Sequence, residues 1–292
     1  MVRLRRSTPG VDGVPEPEAL KVAAERGFAV PPAWTDVWVC ADPNGHIQVT
    51  GVDDAGRTQY LYHPRWVERR DRIKFERAAQ LAEALPAARA RVTRDLRSDG
   101  LTRDRVLAGA FRIIDRAFLR VGSEEYMQAN GTLGLTTLLC RNVRVDDDTV
   151  AFRFPGKGGK RWDTAVTDAD LAKLAAELRS ARSARSRFLA WRGGAPRGWH
   201  VVTAADVNQY IREQTGDDFT AKDFRTLAGT ELASELLAKA GPPRTKTEAT
   251  RTVAAVCRDV AALLGNSPTV ARNSYIDPRV LDRYRHGRDP RG

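Results

Sequence analysis

The 292-residue chain sets 48 Lys and Arg against 37 Asp and Glu, a formal net charge of +11, so an anionic partner is the first expectation. Hydrophobic residues make up 42% of the sequence, enough for two cores of ordinary size, which excludes disorder over most of the chain. No apolar run approaches the roughly 20 residues that cross a bilayer, and Cys40, Cys140 and Cys257 are too scattered for a disulfide framework or a zinc site, so a reducing cytoplasm is expected and a membrane is not.

Residues 1–29 are rich in Pro, Gly and Glu, with a short helical stretch from Pro17 to Arg26, and read as a flexible lead-in. From Trp34 to Tyr62 the pattern becomes short alternating runs: Val37 and Val39, Ile47 and Val49, Tyr60 and Tyr62. Asp42-Pro43-Asn44-Gly45 and Asp53-Asp54-Ala55-Gly56 punctuate them, which predicts an antiparallel meander. Helical periodicity runs from Trp66 to Leu96 with an interruption near Pro86. Ser98-Asp99-Gly100 then breaks it, placing a domain boundary between 97 and 98. Thr102 caps a further helix whose apolar positions run from Val106 to Phe118, with Arg120 at its end. Val150, Phe152 and Phe154 alternate on one side of Pro155-Gly156-Lys157-Gly158-Gly159-Lys160, and Trp162, Thr164 and Val166 on the other, which predicts a hairpin with a lysine-bearing turn. The remainder reads as helical, with capping boxes at Thr203–Asp206 and Thr220–Asp223.

Three stretches carry candidate chemistry. The glycine-rich turn lacks the GxxxxGK spacing, the following Ser or Thr, and the helix that a nucleotide loop requires; Arg161 and a strand follow instead. Lys157 and Lys160 on a turn suit a DNA groove. Lys222-Asp223-Phe224-Arg225-Thr226 opens a capped helix, where free amide groups and the positive dipole end favour phosphate. In Leu264-Gly265-Asn266-Ser267-Pro268, the Ser-Pro pair starts a short helix, and Tyr275 lies about two turns along it.

Taken in order, Arg120, the Lys157 hairpin, Lys222 to Thr226, and Asn266 to Tyr275 resemble the type IB DNA topoisomerases, in particular the small bacterial and poxvirus branch. Gly51 to Pro64 (GVDDAGRTQYLYHP) is similar to the same branch's Gly-Arg-x-Gln-Tyr strand, so the resemblance spans about Val30 to Pro278. It implies an α+β fold. A small N-terminal antiparallel β-sheet domain with helices (30–97) would join a larger, mainly α-helical catalytic domain (98–292) carrying a short β-hairpin, and the two would form a bilobed DNA clamp.

The resemblance also implies roles. Tyr275 is the nucleophile that forms a 3′-phosphotyrosyl intermediate, and Lys157 the general acid for the departing 5′-hydroxyl. Arg120 and Arg225 neutralise charge growing on the phosphate oxygens, a task suited to planar multidonor groups. Asn266 stands where viral and eukaryotic relatives carry histidine, and an amide donates a hydrogen bond without adding charge. Lys222 supports the phosphate cluster. Arg57, Gln59, Tyr60, Tyr62 and Lys160 are expected DNA contacts, with Thr58 where relatives often have a second basic residue. Residues 65–97 hold ten Lys or Arg against five acids, a surface that would line the duplex in a salt-sensitive way.

The expected partner is double-stranded DNA, preferably supercoiled, bound by a nucleoid-associated monomer without a cofactor, a metal site or ATP. Superhelical strain would drive strand rotation between cleavage and resealing. Two other readings share these residues. Tyrosine recombinases use the same Arg, Lys, Arg and Tyr chemistry, but usually have His-x-x-Arg where this chain has Lys222, and they lack the Gln59-Tyr60 strand domain. A non-catalytic nucleoid protein could keep the scaffold alone.

Overall fold

In the computed structural model, which describes residues 5–11, 13–156, 161–194 and 197–291, the chain divides into two compact units, Met1–Lys74 and Phe75–Gly292. The division falls inside helix α2 (Pro64–Leu96), upstream of the Ser98-Asp99-Gly100 break that the sequence singles out. The reason is packing. Leu81, Leu85, Ala88, Val92 and Leu96 recur along one face of α2 and are buried in the larger unit's core, so the helix's later turns belong to that unit. Pro86 does not interrupt α2 as expected. Proline in a helix interior costs about 3 kcal/mol, and the buried leucines on both sides of it offset that cost.

The smaller unit contains α1 (Glu16–Glu25) and an antiparallel meander of β1 (Thr35–Val39), β2 (Ile47–Val52) and β3 (Thr58–Tyr62), ordered β1-β2-β3. The first turn of the meander is held by Gln48, whose amide donates to Asp42 O (3.0 Å) and Gly45 O (2.7 Å). The second is held by Asp53, which accepts from the backbone N–H groups of Ala55 and Arg57, both at 3.0 Å. Ala19 and Ala23 of α1 are buried against Val39 and Val49. Val14 N–H donates to Val39 O at 2.8 Å, and Arg26 donates to Cys40 O at 2.6 Å and Ala41 O at 2.9 Å. The described part of the lead-in is thus built into this unit. Ala19, Val22 and Ala23 at helical spacing outweigh the Pro and Gly around them.

After the later turns of α2, the larger unit continues with α3 (Arg103–Ala117), capped by Thr102 as expected. It ends at Phe118, which turns into the left-handed region at φ 54°, so Arg120 lies beyond the helix rather than at its end. After α4 (Glu124–Asn130) come β4 (Val143–Asp146), β5 (Thr149–Pro155) and β6 (Arg161–Thr167), one antiparallel sheet ordered β4-β5-β6. The expected hairpin is therefore the outer part of a three-stranded sheet. Val143 and Val145 alternate with Arg144 and Asp146, a run short enough to pass for loop. Helix α5 (Ala169–Ser180) follows, capped by Asp168.

A two-stranded sheet, β7 (Ala190–Arg192) and β8 (Trp199–Val201), interrupts what the sequence presents as an unbroken helical region. Helices α6 (Ala204–Thr215), α7 (Ala221–Ala240), α8 (Lys246–Leu264), α9 (Pro268–Ser274) and α10 (Pro278–Arg285) complete the unit. Among the described residues no helix is long and apolar enough to cross a membrane.

Two hydrophobic clusters organise the larger unit. One gathers α2, α3, α5, α6 and the three-stranded sheet; the other gathers α8, α9 and α10. Helix α7 is shared: Ala221, Phe224 and Leu227 belong to the first cluster, Ala233 and Leu237 to the second. A helix that serves two cores must be apolar on more than one face. Polar side chains on its buried stretch, Arg225 above all, therefore need specific partners.

Candidate active site

A cleft of about 390 Å³ in the larger unit is lined by Arg120, Val121, Asn208, Thr220, Ala221, Lys222, Arg225 and Tyr275. Among the described residues, three cations and no carboxylate line it. Like charges held together in this way favour an anionic occupant.

Arg120 is placed by the loop that leaves α3. Its carbonyl accepts from Leu135 N–H at 2.8 Å, and Val121 O accepts from Thr136 N–H at 2.8 Å, so the backbone on either side of the guanidinium is tied to a second segment. Its Nη2 donates to Asn266 Oδ1. Asn266 follows Gly265, which ends α8 in the left-handed conformation at φ 58°. A Cβ on Gly265 would stand 1.7 Å from the Trp162 ring, so glycine is needed there both for the turn and for the approach. Trp162 of β6 thus sets where Asn266 begins.

Arg225 is 2% exposed. Its guanidinium donates to Phe118 O and, at 2.7 Å, to Leu264 O, the carbonyls at the ends of α3 and α8. Burial lowers its pKa from the ordinary arginine value, and the nearby Arg120 charge acts in the same direction, partly opposed by Tyr275. The same guanidinium carbon stands 5.0 Å from the centroid of the Tyr275 ring.

Tyr275 caps the C-terminus of α9, with its N–H donating to Ala271 O at 3.0 Å. Helix α9 starts as the sequence predicts, with the Ser267 side chain accepting from Val270 N–H and Pro268 in the first turn. Partial burial of the Tyr275 phenol raises its pKa. The charge and polar contact of Arg225, followed by the charges of Arg120 and Lys222, outweigh burial and hold the phenol below its usual value.

Helix α7 begins as its capping box predicts: Asp223 accepts from Thr220 N–H (2.8 Å) and Thr220 Oγ1 (2.9 Å). Lys222 in its first turn is exposed and lines the cleft. Ala221 N–H donates to Asn208 Oδ1 at 3.2 Å, which brings Asn208 from α6 into the cleft wall. No sequence signal had singled out Asn208, because it sits 14 positions before Lys222 on an ordinary amphipathic helix.

Arg120, Lys222, Arg225, Asn266 and Tyr275 are thus brought together. Lys157 and Lys160 lie outside the described residues. Leu133 N–H donates to Pro155 O at 2.8 Å, which ties the end of β5 to the loop that follows α4.

In the smaller unit, strand alternation separates the expected DNA contacts. Tyr60 and Tyr62 share one face of β3, their rings stacked with centroids 6.1 Å apart, while Gln59 and Leu61 take the other. Tyr60 is exposed, and Arg70 stands 5.5 Å from the Tyr62 ring centroid. Arg57 (Nε 3.0 Å, Nη2 2.8 Å) and Gln59 (Nε2 2.8 Å) both donate to Asp53 Oδ2. These bonds, with Arg57 foremost, hold the Asp53 carboxyl well below the usual carboxylate range.

The family model for the eukaryotic DNA topoisomerase I catalytic core matches residues 63–286. The chain belongs to the type IB DNA topoisomerases. A second family model, the N-terminal domain of bacterial DNA topoisomerase IB, matches residues 15–53, which include α1 and most of the meander. DNA topoisomerase 1B of Acanthamoeba polyphaga mimivirus is 27% identical over 263 residues, covering 88% of this chain and 78% of the viral protein. DNA topoisomerase 1B of Vaccinia virus (strain Copenhagen) is 23% identical over 107 residues, covering 37% of this chain and 34% of the viral protein. The type IB topoisomerases are isomerases, and the mixed α and β architecture, with its helical larger unit, accords with that membership.

Proposed function

We propose that this topoisomerase relaxes positive and negative supercoils in double-stranded DNA by cutting one strand, letting it rotate, and resealing it. The observation that supports this most is the Arg225 guanidinium over the Tyr275 ring inside a cleft lined by cations. A phosphodiester entering that cleft meets charge that offsets its repulsion of a phenolate. The Tyr275 oxygen attacks phosphorus, a new P–O bond forms as the bond to the 5′-oxygen breaks, and Lys157 supplies the proton to the leaving oxygen. Arg120 and Arg225 stabilise the equatorial oxygens of the pentacoordinate transition state, with Asn266 and Lys222 in support. Resealing is the reverse transfer. The phosphotyrosyl ester conserves the energy of the broken linkage, so ATP is not consumed, and the arginines supply the charge stabilisation that a metal would otherwise give.

The N-terminal residues Arg57, Gln59, Tyr60 and Tyr62, and Lys160 of the hairpin turn, contact the duplex in this proposal. The enzyme acts as a cytoplasmic, nucleoid-associated monomer clamped around DNA.

Incubation with supercoiled plasmid in EDTA without ATP tests the reading. Relaxation of both supercoil signs, together with an adduct mapping to Tyr275, is expected, and Tyr275→Phe should abolish both. Strand exchange at defined sites without relaxation would favour the recombinase reading. Duplex binding without any adduct would favour a non-catalytic one.

A further inference from the structure

Helix α7 reaches Tyr275 at more than one place. Gly229 follows Arg225 by one turn on the same face, because residues four apart stack along a helix. A Cβ at Gly229 would stand 2.7 Å from the Tyr275 carbonyl oxygen and 3.0 Å from its Cβ. Only glycine lets the helix backbone come this near. The next residue, Thr230, uses its hydroxyl twice: Oγ1 donates to Tyr275 O at 3.1 Å and accepts from Asp277 N–H at 3.1 Å. Asp277 in turn caps α10, accepting from Arg279 N–H at 2.9 Å. One side chain therefore clasps both ends of the link between α9 and α10. Arg225 addresses the ring of Tyr275 while Gly229 and Thr230 address its backbone, all from one continuous helix.

We infer that Gly229 and Thr230 form a positioning seat for Tyr275, fixing where the phenol stands against the Arg225 guanidinium. The inference rests on Tyr275 being the nucleophile. Neither residue lines the cleft, so both act through the tyrosine and not on DNA. The need for a seat is geometric. Tyr275 lies just past a seven-residue helix, and a reacting group misplaced by about 1 Å can lose on the order of a hundredfold in rate.

Three variants of the full chain test this. Thr230→Val keeps volume but removes both hydrogen bonds, Thr230→Ser keeps both, and Gly229→Ala adds the one methyl that the approach excludes. Single-turnover adduct formation on a duplex that traps the cut strand is followed against pH, alongside duplex affinity and thermal melting. Thr230→Val and Gly229→Ala should slow adduct formation on the order of tenfold to a hundredfold with duplex affinity unchanged, and Thr230→Ser should restore most of the rate.

Among the described residues, the charged groups acting on the phenol are Arg225 and Lys222 from α7 and Arg120 from the loop after α3; Asn266 is uncharged. A tyrosine displaced from them should also ionise at higher pH, moving the rise of the pH profile upward. Loss of rate only in proportion to loss of folded protein, with the profile unmoved, would overturn the inference, as would a Thr230→Val enzyme with the parent rate and profile. Tyr275→Phe separates the two layers. An adduct from that variant refutes the nucleophile assignment itself, whereas an inert Tyr275→Phe beside an unimpaired Thr230→Val refutes only the seat.

Discussion

Replacing Arg225 with Ala removes the charge nearest the proposed nucleophile and strips two backbone carbonyls, Phe118 O and Leu264 O, of their donor. With 5.0 Å between the guanidinium carbon and the ring centroid, and an effective dielectric constant of about 20, the lost attraction for a phenolate is roughly 3 kcal/mol. Each 1.4 kcal/mol or so is tenfold in rate, so single-turnover cleavage at neutral pH should fall about a hundredfold or more. The phenol, no longer held down by Arg225, should return toward its ordinary value, and the rise in cleavage rate with pH should move to higher pH. Arg225→Lys separates charge from architecture. A lysine restores a cation but cannot span two carbonyls and the phosphate at once, so its rate should fall between parent and Ala. The assay is adduct formation resolved on a denaturing gel across pH, with melting curves confirming that each variant is folded. An Arg225→Ala enzyme that cleaves within about threefold of the parent, with an unmoved pH profile, would refute the electrostatic reasoning.

Other perturbations reach the site through the fold. Gly265→Ala should both destabilise the larger unit and displace Asn266, because the new methyl would overlap the Trp162 ring at a left-handed position; a lowered melting temperature together with slower cleavage is the expected pair. Phe111, fully buried and edge-on to Phe224 at 5.2 Å, should cost about 3–5 kcal/mol when cut to Ala in denaturant titrations. Tyr210 Oη donates to Asp95 at 2.5 Å, and burial followed by Asp95 pushes its pKa well above the ordinary phenol value. A raised folded-state value favours the neutral phenol, so its stabilisation is complete below about pH 10 and fades at higher pH. Alkaline melting should be shallower in Tyr210→Phe than in the parent, while at neutral pH the variant should lose about 1.5–3 kcal/mol.

What the sequence made legible was local. Thr102, Thr203, Thr220 and Ser267 signal helix starts because a cap is satisfied within three residues, and the structure places a helix after each. The meander and its turns were readable for the same reason, through Asp53 and the alternating apolar positions. Strand β4 and the β7–β8 pair escaped because three or four residues give too short a period to distinguish strand from loop. The continuity of α2 through Pro86 was hidden because the compensating contacts come from elsewhere in the chain. In the candidate site, residue types and order were visible. The Arg120–Asn266 bond, the carbonyl clamp on Arg225 and the approach of Gly229 were not, since each joins segments tens of residues apart or more.

That long-range assembly also bears on when the chain becomes able to cut. Arg120 and Asn266 are 146 positions apart, and Arg225 reaches back 107 positions to Phe118. A chain still emerging from the ribosome already carries both arginines and the two carbonyls that hold Arg225, Phe118 O and Leu264 O, before α9 and its tyrosine exist. In the proposed reaction, scission therefore waits for α9 to follow α8 and bring Tyr275 to the arginines. On the proposed mechanism, that order of synthesis would keep a partly made chain from cutting a strand that it could not reseal.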